Sequence, residues 1–266
     1  MPHKSLCLVA LTCLSCTSLL AQDKDARKRL IAAHAQYYTP TASGLKSFQC
    51  EASIDWKTML TRASGIEIRD DNPALQFLQT VHLAVADDLH GRGSLDWSSP
   101  TEPPENKKAT IKEIQDGLQT SVSGFFQSWN AYMNGSMVPL PDSTVNVTTS
   151  GDGVHLSGIS KDTTFDEDYD KNTLLTQVQV VTPNLKVLAK PTYTSTGDGL
   201  LVSAVSSQVH QPPTAPEMDV TFRIEYAKVD SYQIPSHVVF DIKNTGLIEI
   251  GFKDCKVTVA DWAKKN

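Results

Sequence analysis

Side chains able to do chemistry are plentiful in this chain but scattered. The densest run is Asp166-Glu167-Asp168-Tyr169-Asp170-Lys171-Asn172, with closely spaced carboxylates of the kind that hold calcium. A calcium loop of the helix–loop–helix type needs glycine at its sixth position and glutamate at its twelfth. Those positions hold Lys171 and Gln177, so the run reads as an exposed strand end whose mutual repulsion solvent screens. His34, His82, His90, His155, His210 and His237 are dispersed, and no two share the spacing of a metal pair. No Gly-x-Ser-x-Gly elbow, His-Glu-x-x-His helix or glycine-rich phosphate loop is present. No catalytic residue, metal or cofactor is therefore assigned. A triad assembled only by the fold leaves no spacing to read, so the expectation of a non-enzymatic protein rests on motifs alone. Asn134-Gly-Ser136 and Asn146-Val-Thr148 match the N-glycosylation acceptor, which matters only in a eukaryotic secretory route.

Charge excludes one class of partner. Lys and Arg total 24 against 30 Asp and Glu, for a formal net charge of −6. Beyond Lys24–Arg29 there is no basic run, so nucleic acid is not an expected partner. The N-terminus has the order of an export signal. His3-Lys4 is followed by the apolar run Ser5–Leu20, then Ala21 and the polar Gln22-Asp23-Lys24. The apolar run is shorter than the ~20 residues of a membrane-spanning helix. Cleavage after Ala21 is expected, leaving residues 22–266 as a single domain in the periplasm. A lipid anchor at Cys16 is the alternative, since Leu14-Ser15-Cys16 approaches a lipobox. Its aliphatic residue lies one place too near the cysteine, and Cys13 holds the expected position. Cleavage would remove Cys7, Cys13 and Cys16 and leave Cys50 and Cys255. In an oxidising compartment that isolated pair is a disulfide candidate.

Such side chains need a scaffold, and periodicity supplies one. From Asp219 to Val259 apolar and polar residues alternate: Val220, Phe222, Ile224 and Tyr226, then Val238, Phe240 and Ile242, then Ile248, Ile250 and Phe252. A period of two places each set on one strand face. Val229-Asp230-Ser231 and Asn244-Thr245-Gly246 between them are turns, so the stretch is an antiparallel meander with one apolar face. Short strands also fit Phe48–Trp56, Thr144–Thr148, Val154–Ile159, Thr163–Tyr169, Thr173–Val181, Leu185–Thr194 and Leu200–His210, roughly nine in all with the meander. Helical spacing marks Asp23–Tyr38 and the long stripe Ile111–Met133, which includes Leu118, Val122, Phe125, Phe126 and Trp129. It also marks a helix that starts at Asn72-Pro73 and follows Ala74, Leu75, Leu78, His82, Val85 and Leu89 to Gly91, with His82 as a hydrogen-bonded core or boundary residue. Leu60–Asp71 is ambiguous. The proline-rich Ser98–Lys108 and Gln211–Pro216 are loops. The expected fold is α+β, with a large antiparallel sheet as a sandwich or open barrel and helices covering its apolar face.

Two local features carry a family resemblance. One is Lys190-Pro191-Thr192-Tyr193 followed by Gly199-Leu200-Leu201-Val202. The other is Ile224–Val238, where a strand ends at a turn and Tyr232-Gln233-Ile234-Pro235 starts the next. With the order of helix, strand, helices and long antiparallel run, the chain resembles the bacterial periplasmic lipoprotein-carrier superfamily that includes the LolA and LolB carriers. The resemblance implies a large curved antiparallel sheet, an unclosed β-barrel, covered by two or three helices and holding a lipid or lipoprotein acyl chain. Phe125, Trp129, Phe222, Tyr226, Phe240 and Phe252 would then line the interior. The carrier's functional arginine has no counterpart here, since Arg62 and Arg69 fall in the ambiguous stretch, and no family residue is carried over. The alternative function is a structural or regulatory periplasmic domain with a filled core that binds an envelope protein partner.

Overall fold

The computed structural model describes residues 13–91, 93–133, 145–211, 217–243 and 246–265, with backbone alone at 13–23, 160 and 264–265. The fold is α+β, a large curved sheet that does not close into a barrel. The strands are β1 (Leu45–Ile54), β2 (His82–Asp87), β3 (Ser94–Ser98), β4 (Val145–Ser150), β5 (Gly153–Ser160), β6 (Thr163–Tyr169), β7 (Leu175–Thr182), β8 (Leu185–Thr196), β9 (Gly199–His210), β10 (Met218–Val229), β11 (Tyr232–Ile242) and β12 (Gly246–Val259). The helices are α1 (Cys13–His34), α2 (Trp56–Ser64), α3 (Pro73–Leu78) and α4 (Lys108–Met133). All twelve strands form one sheet in the order β3-β2-β1-β12-β11-β10-β9-β8-β7-β6-β5-β4. β4 to β12 is an uninterrupted meander. The chain's first strand then pairs antiparallel with its last, as in Phe48↔Val257 and Ile54↔Ile250.

The meander follows from alternation. Ile224, Val238, Phe240, Ile250 and Phe252 are buried, and in register Phe222 faces Phe240 and Phe240 faces Ile248. Asp230 takes φ 53° in the β10–β11 turn, a left-handed conformation that aspartate tolerates. Of the Asn244-Thr245-Gly246 turn only Gly246 lies within the described residues. α4 connects β3 to β4 across the concave face and buries Ile111, Leu118, Val122, Phe125, Phe126, Trp129 and Met133. α4 packs along β3, while α1 packs along β4 and buries Ala26, Leu30 and Ala33. Arg27 of α1 donates to the Val145 carbonyl at 2.8 Å. Both sheet edges thus lie beside helices, which hinders edge-to-edge association.

Three expectations are corrected. The helix begun at Asn72 is real but short. Asn72 Oδ1 accepts from the Ala74 and Leu75 N–H groups, and the helix ends at Leu78. Beyond it the spacing fitted a helix by coincidence, because Leu83 and Val85 also alternate with His82, Ala84 and Ala86. Pairing with β1 decides the outcome, with Leu83↔Ala52 and Val85↔Cys50. His82 therefore stands exposed at the start of β2 opposite Ser98, not in the core. The first strand stops before Trp56, because Asp55 caps a helix by accepting from the Thr58 N–H at 3.0 Å and the Thr58 hydroxyl at 2.7 Å. The ambiguous stretch is in part α2, which ends at Gly65 with φ 70°. The sheet has twelve strands, two of them unforeseen: β2 takes the place of the expected helix's second half, and β3 occupies a stretch given no assignment from sequence.

Candidate functional site

All six aromatic residues expected in the interior meet at the centre of the concave face. Phe125 is 5.8 Å from Phe240 and 6.0 Å from Phe222 between ring centroids, and Phe222 and Phe240 are 5.4 Å apart edge to face. Phe126 stacks on Phe252 at 6.1 Å. The Trp129 indole N–H donates to the Tyr226 hydroxyl at 3.0 Å, and that hydroxyl donates to the Val202 carbonyl at 2.8 Å. Burial raises the Tyr226 phenol pKa, the Trp129 bond opposing it. Such edge-to-face pairs suit aromatic quadrupoles. Phe48 and Phe126, absent from the expected set, complete the cluster: Phe48 lies 5.8 Å from Phe126 and 5.9 Å from Trp129. These rings fill the space between helix and sheet by packing on one another.

An apolar cleft borders this cluster. Met59 and Ala63 of α2, Glu113, Ile114, Gly117 and Leu118 of α4, and Ile242, Leu247 and Ile248 at the β11–β12 turn line an open cleft of about 170 Å³. Ile248 is the register partner of Phe240, and Leu118 leads along α4 to Val122 and Phe125, so the inner end of the cleft adjoins the aromatic rings. Gly117 contributes the open wall: a Cβ built there meets nothing within 4 Å. Arg62 of α2 binds Glu249 of β12 at 2.7 Å, both partly exposed, and fixes α2 over this end of the sheet. Residues spread over four elements give no sequence period, so this cleft was not legible beforehand.

Cys50 and Cys255 form a disulfide across β1 and β12, with Cα atoms 4.0 Å apart. It sits where the β1–β12 register shifts between Gln49 and Glu51. Cys50 is buried and helps to seal the core.

The acidic run is split by strand alternation. Asp166 and Asp168 face outward on β6, where Asp168 meets His155 Nδ1 at 2.8 Å and Asp166 lies 3.6 Å from His155 Nε2. Glu167 and Tyr169 face inward and are buried. Asp170 accepts from the Asn172 and Leu174 N–H groups at 2.8 Å and shapes the turn. Among the described residues no group of three His, Cys, Asp or Glu side chains is placed to hold a metal. The exposed-end reading is therefore right for Asp166 and Asp168 and wrong for Glu167. Its shared parity with Phe165 and Tyr169 was the available signal. Asn146 is exposed on β4, whereas Asn134 and Ser136 lie outside the described residues. Among the described residues, no helix is long and apolar enough to cross a membrane.

No protein-family model, curated protein or solved structure matches this chain.

Proposed function

We propose that this chain is an exported, non-enzymatic envelope protein that binds the acyl chain of a lipid or lipidated polypeptide. The apolar cleft between α2, α4 and the β11–β12 turn carries the reading. It is walled mainly by aliphatic side chains, with the exposed Glu113 at its rim, and opens beside the aromatic interior of an unclosed sheet, so an acyl chain entering it leaves water against a mostly apolar wall. α4 is the lid, and the cluster of Phe125, Trp129, Phe222, Tyr226, Phe240 and Phe252 is the apolar floor at the inner end. The export-type N-terminus and the disulfide between the two cysteines beyond residue 21 support the periplasm as the compartment. Native mass spectrometry of the protein purified from a bacterial envelope tests this. Bound mass in the lipid range, lost on denaturation, is expected, whereas the bare polypeptide mass alone speaks against it.

The packing of the interior favours a second reading, a structural domain whose core is filled by its own aromatic residues and which binds a protein partner. Helices beside both sheet edges count against strand addition as its binding mode. A titration with an apolar dye separates the two, since a filled core shows no saturable site.

A further inference from the structure

Glu167 is a carboxyl group inside an apolar sheet, 5% exposed. Its hydrogen-bond partner is the Tyr169 hydroxyl, which donates to Oε2 at 2.6 Å. No lysine, arginine or histidine pairs with it among the described residues. The titratable groups around it are phenols from four parts of the fold, one of which, Tyr37, also feels the Asp170 carboxylate. Tyr169 shares its strand, Tyr132 is in the last turn of α4, Tyr193 is on β8, and Tyr37 follows α1. The phenols of Tyr37, Tyr132, Tyr169 and Tyr193 all lie within the electrostatic field of Glu167. Tyr37 and Tyr193 stand edge to face at 5.2 Å. The Tyr37 hydroxyl accepts from the Leu175 N–H at 2.9 Å. The Tyr193 hydroxyl is buried and makes no bond of hydrogen-bonding geometry, although Tyr37 is near enough to perturb it. α4 has no basic residue in its last turn, so the negative end of its dipole faces this region uncompensated by its own side chains.

A buried carboxyl without a cationic partner is costly when ionised, as is a buried hydroxyl without a partner. Electron-rich rings, a carboxyl, an unspent hydroxyl oxygen and a helix C-terminus all attract positive charge, and a charged N–H donor would pair with the carboxyl and meet the Tyr193 hydroxyl, which makes no bond. We propose that Glu167, Tyr37, Tyr132, Tyr169 and Tyr193 form a buried binding site for one alkylammonium group, as carried by a free amine or an aminolipid headgroup. The site is separate from the cleft at Gly117 and does not depend on the acyl-chain reading.

Protonation supplies the signature. Burial pushes the Glu167 carboxyl up to about 8, the Tyr169 bond opposing it, so at pH 7 it carries a proton. An ammonium group docking beside it displaces that proton to solvent and leaves a carboxylate–ammonium pair. Isothermal titration of the full chain with butylammonium chloride at pH 7, in two buffers of different ionisation heat, tests this. Saturable binding with release of about one proton is expected, and 1-butanol, the neutral control, should not bind. Glu167→Gln keeps the size and the acceptor for Tyr169 and should weaken binding by about tenfold or more. Tyr193→Phe should weaken it less with the near-UV spectrum unchanged. Tighter binding of dihexanoyl phosphatidylethanolamine would assign the site to a lipid headgroup, and equal binding to a free amine. Absence of saturable heat up to about 10 mM amine, or equal binding by 1-butanol or by both variants, overturns the proposal.

Discussion

Phe126 is the keystone of the interior, and its removal is the sharpest test of how α4 is seated. The side chain is 0% exposed. Its ring meets Phe125 at 5.0 Å, Phe48 at 5.8 Å, Phe252 at 6.1 Å and Trp129 at 6.4 Å, so it is enclosed by β1, β12 and its own helix. Gly93 closes the remaining side, where a Cβ would fall 2.1 Å from Phe126 Cδ2. Phe126→Ala empties this space. Phe48 and Phe252 stand on adjoining regions of one hydrogen-bonded sheet and cannot follow the missing ring inward. The cost should lie in the usual Phe→Ala range of about 3–5 kcal/mol, toward its upper end. For a domain of this size that corresponds to a Tm drop of about 6–20 °C. Urea unfolding followed by tryptophan fluorescence measures the loss, with an unchanged denaturant slope expected. Ile66→Ala, at a residue 67% exposed, should stay within about 0.5 kcal/mol. A loss below about 1 kcal/mol for Phe126→Ala would refute the packed interior, since a ring whose removal costs so little is not held between helix and sheet.

Other perturbations read other parts of the fold. Replacing Cys50 and Cys255 with alanine removes a cross-link spanning a sequence separation of 205. The chain-entropy model gives a loss of about 5 kcal/mol, and urea midpoints with and without reductant check it, with the reduced wild type matching the variant. The raised Glu167 pKa fixes a sign. The folded state keeps a proton that the unfolded chain releases above its ordinary 4.5, so this contribution to stability is complete at acid pH and is lost as pH rises to about 8. The span is worth about 5 kcal/mol at most; Glu167→Gln should flatten the decline in unfolding midpoint between pH 5 and pH 8, and an unchanged slope would show that Glu167 does not titrate there. Gly93→Ala should cost about 1–3 kcal/mol by forcing Phe126 aside. Gly117→Ala, with open space at its Cβ, should be neutral or stabilise by up to about 1 kcal/mol. Thermal melts of the two glycine variants make the comparison.

What the sequence revealed of this fold follows from the range of each signal. Alternation along β10, β11 and β12 is local and strong, so the meander and its inward face were readable, as was the long stripe of α4. The β2–β3 hairpin was not. In the stretch from Leu78 to Leu89 the same apolar residues satisfy both a helical and a strand period, and only the partner strand β1 settles which is used. Pairing of the first strand with the last leaves no trace in spacing. The pair Cys50 and Cys255 hinted at it without giving the register. The six aromatic residues were identified from face and size, and their convergence confirms the inward parity of each element. Their packing could not be read, because whether rings enclose a void or fill it depends on fractions of an ångström. Glu167 was overlooked because it lies in an acidic run whose neighbours face water.

The most direct test of the acyl-chain reading is a titration of a fluorescent fatty acid into the wild type and into Gly117→Phe. A Cβ at Gly117 meets nothing within 4 Å, so a phenylalanine can occupy the cleft while leaving α4 in place, and its melting temperature should match the wild type. Saturable binding to the wild type, abolished in the folded Gly117→Phe variant, is the expected result. Equal binding by both proteins, or no saturable binding by the wild type, would contradict the assignment of the cleft as the seat of an acyl chain.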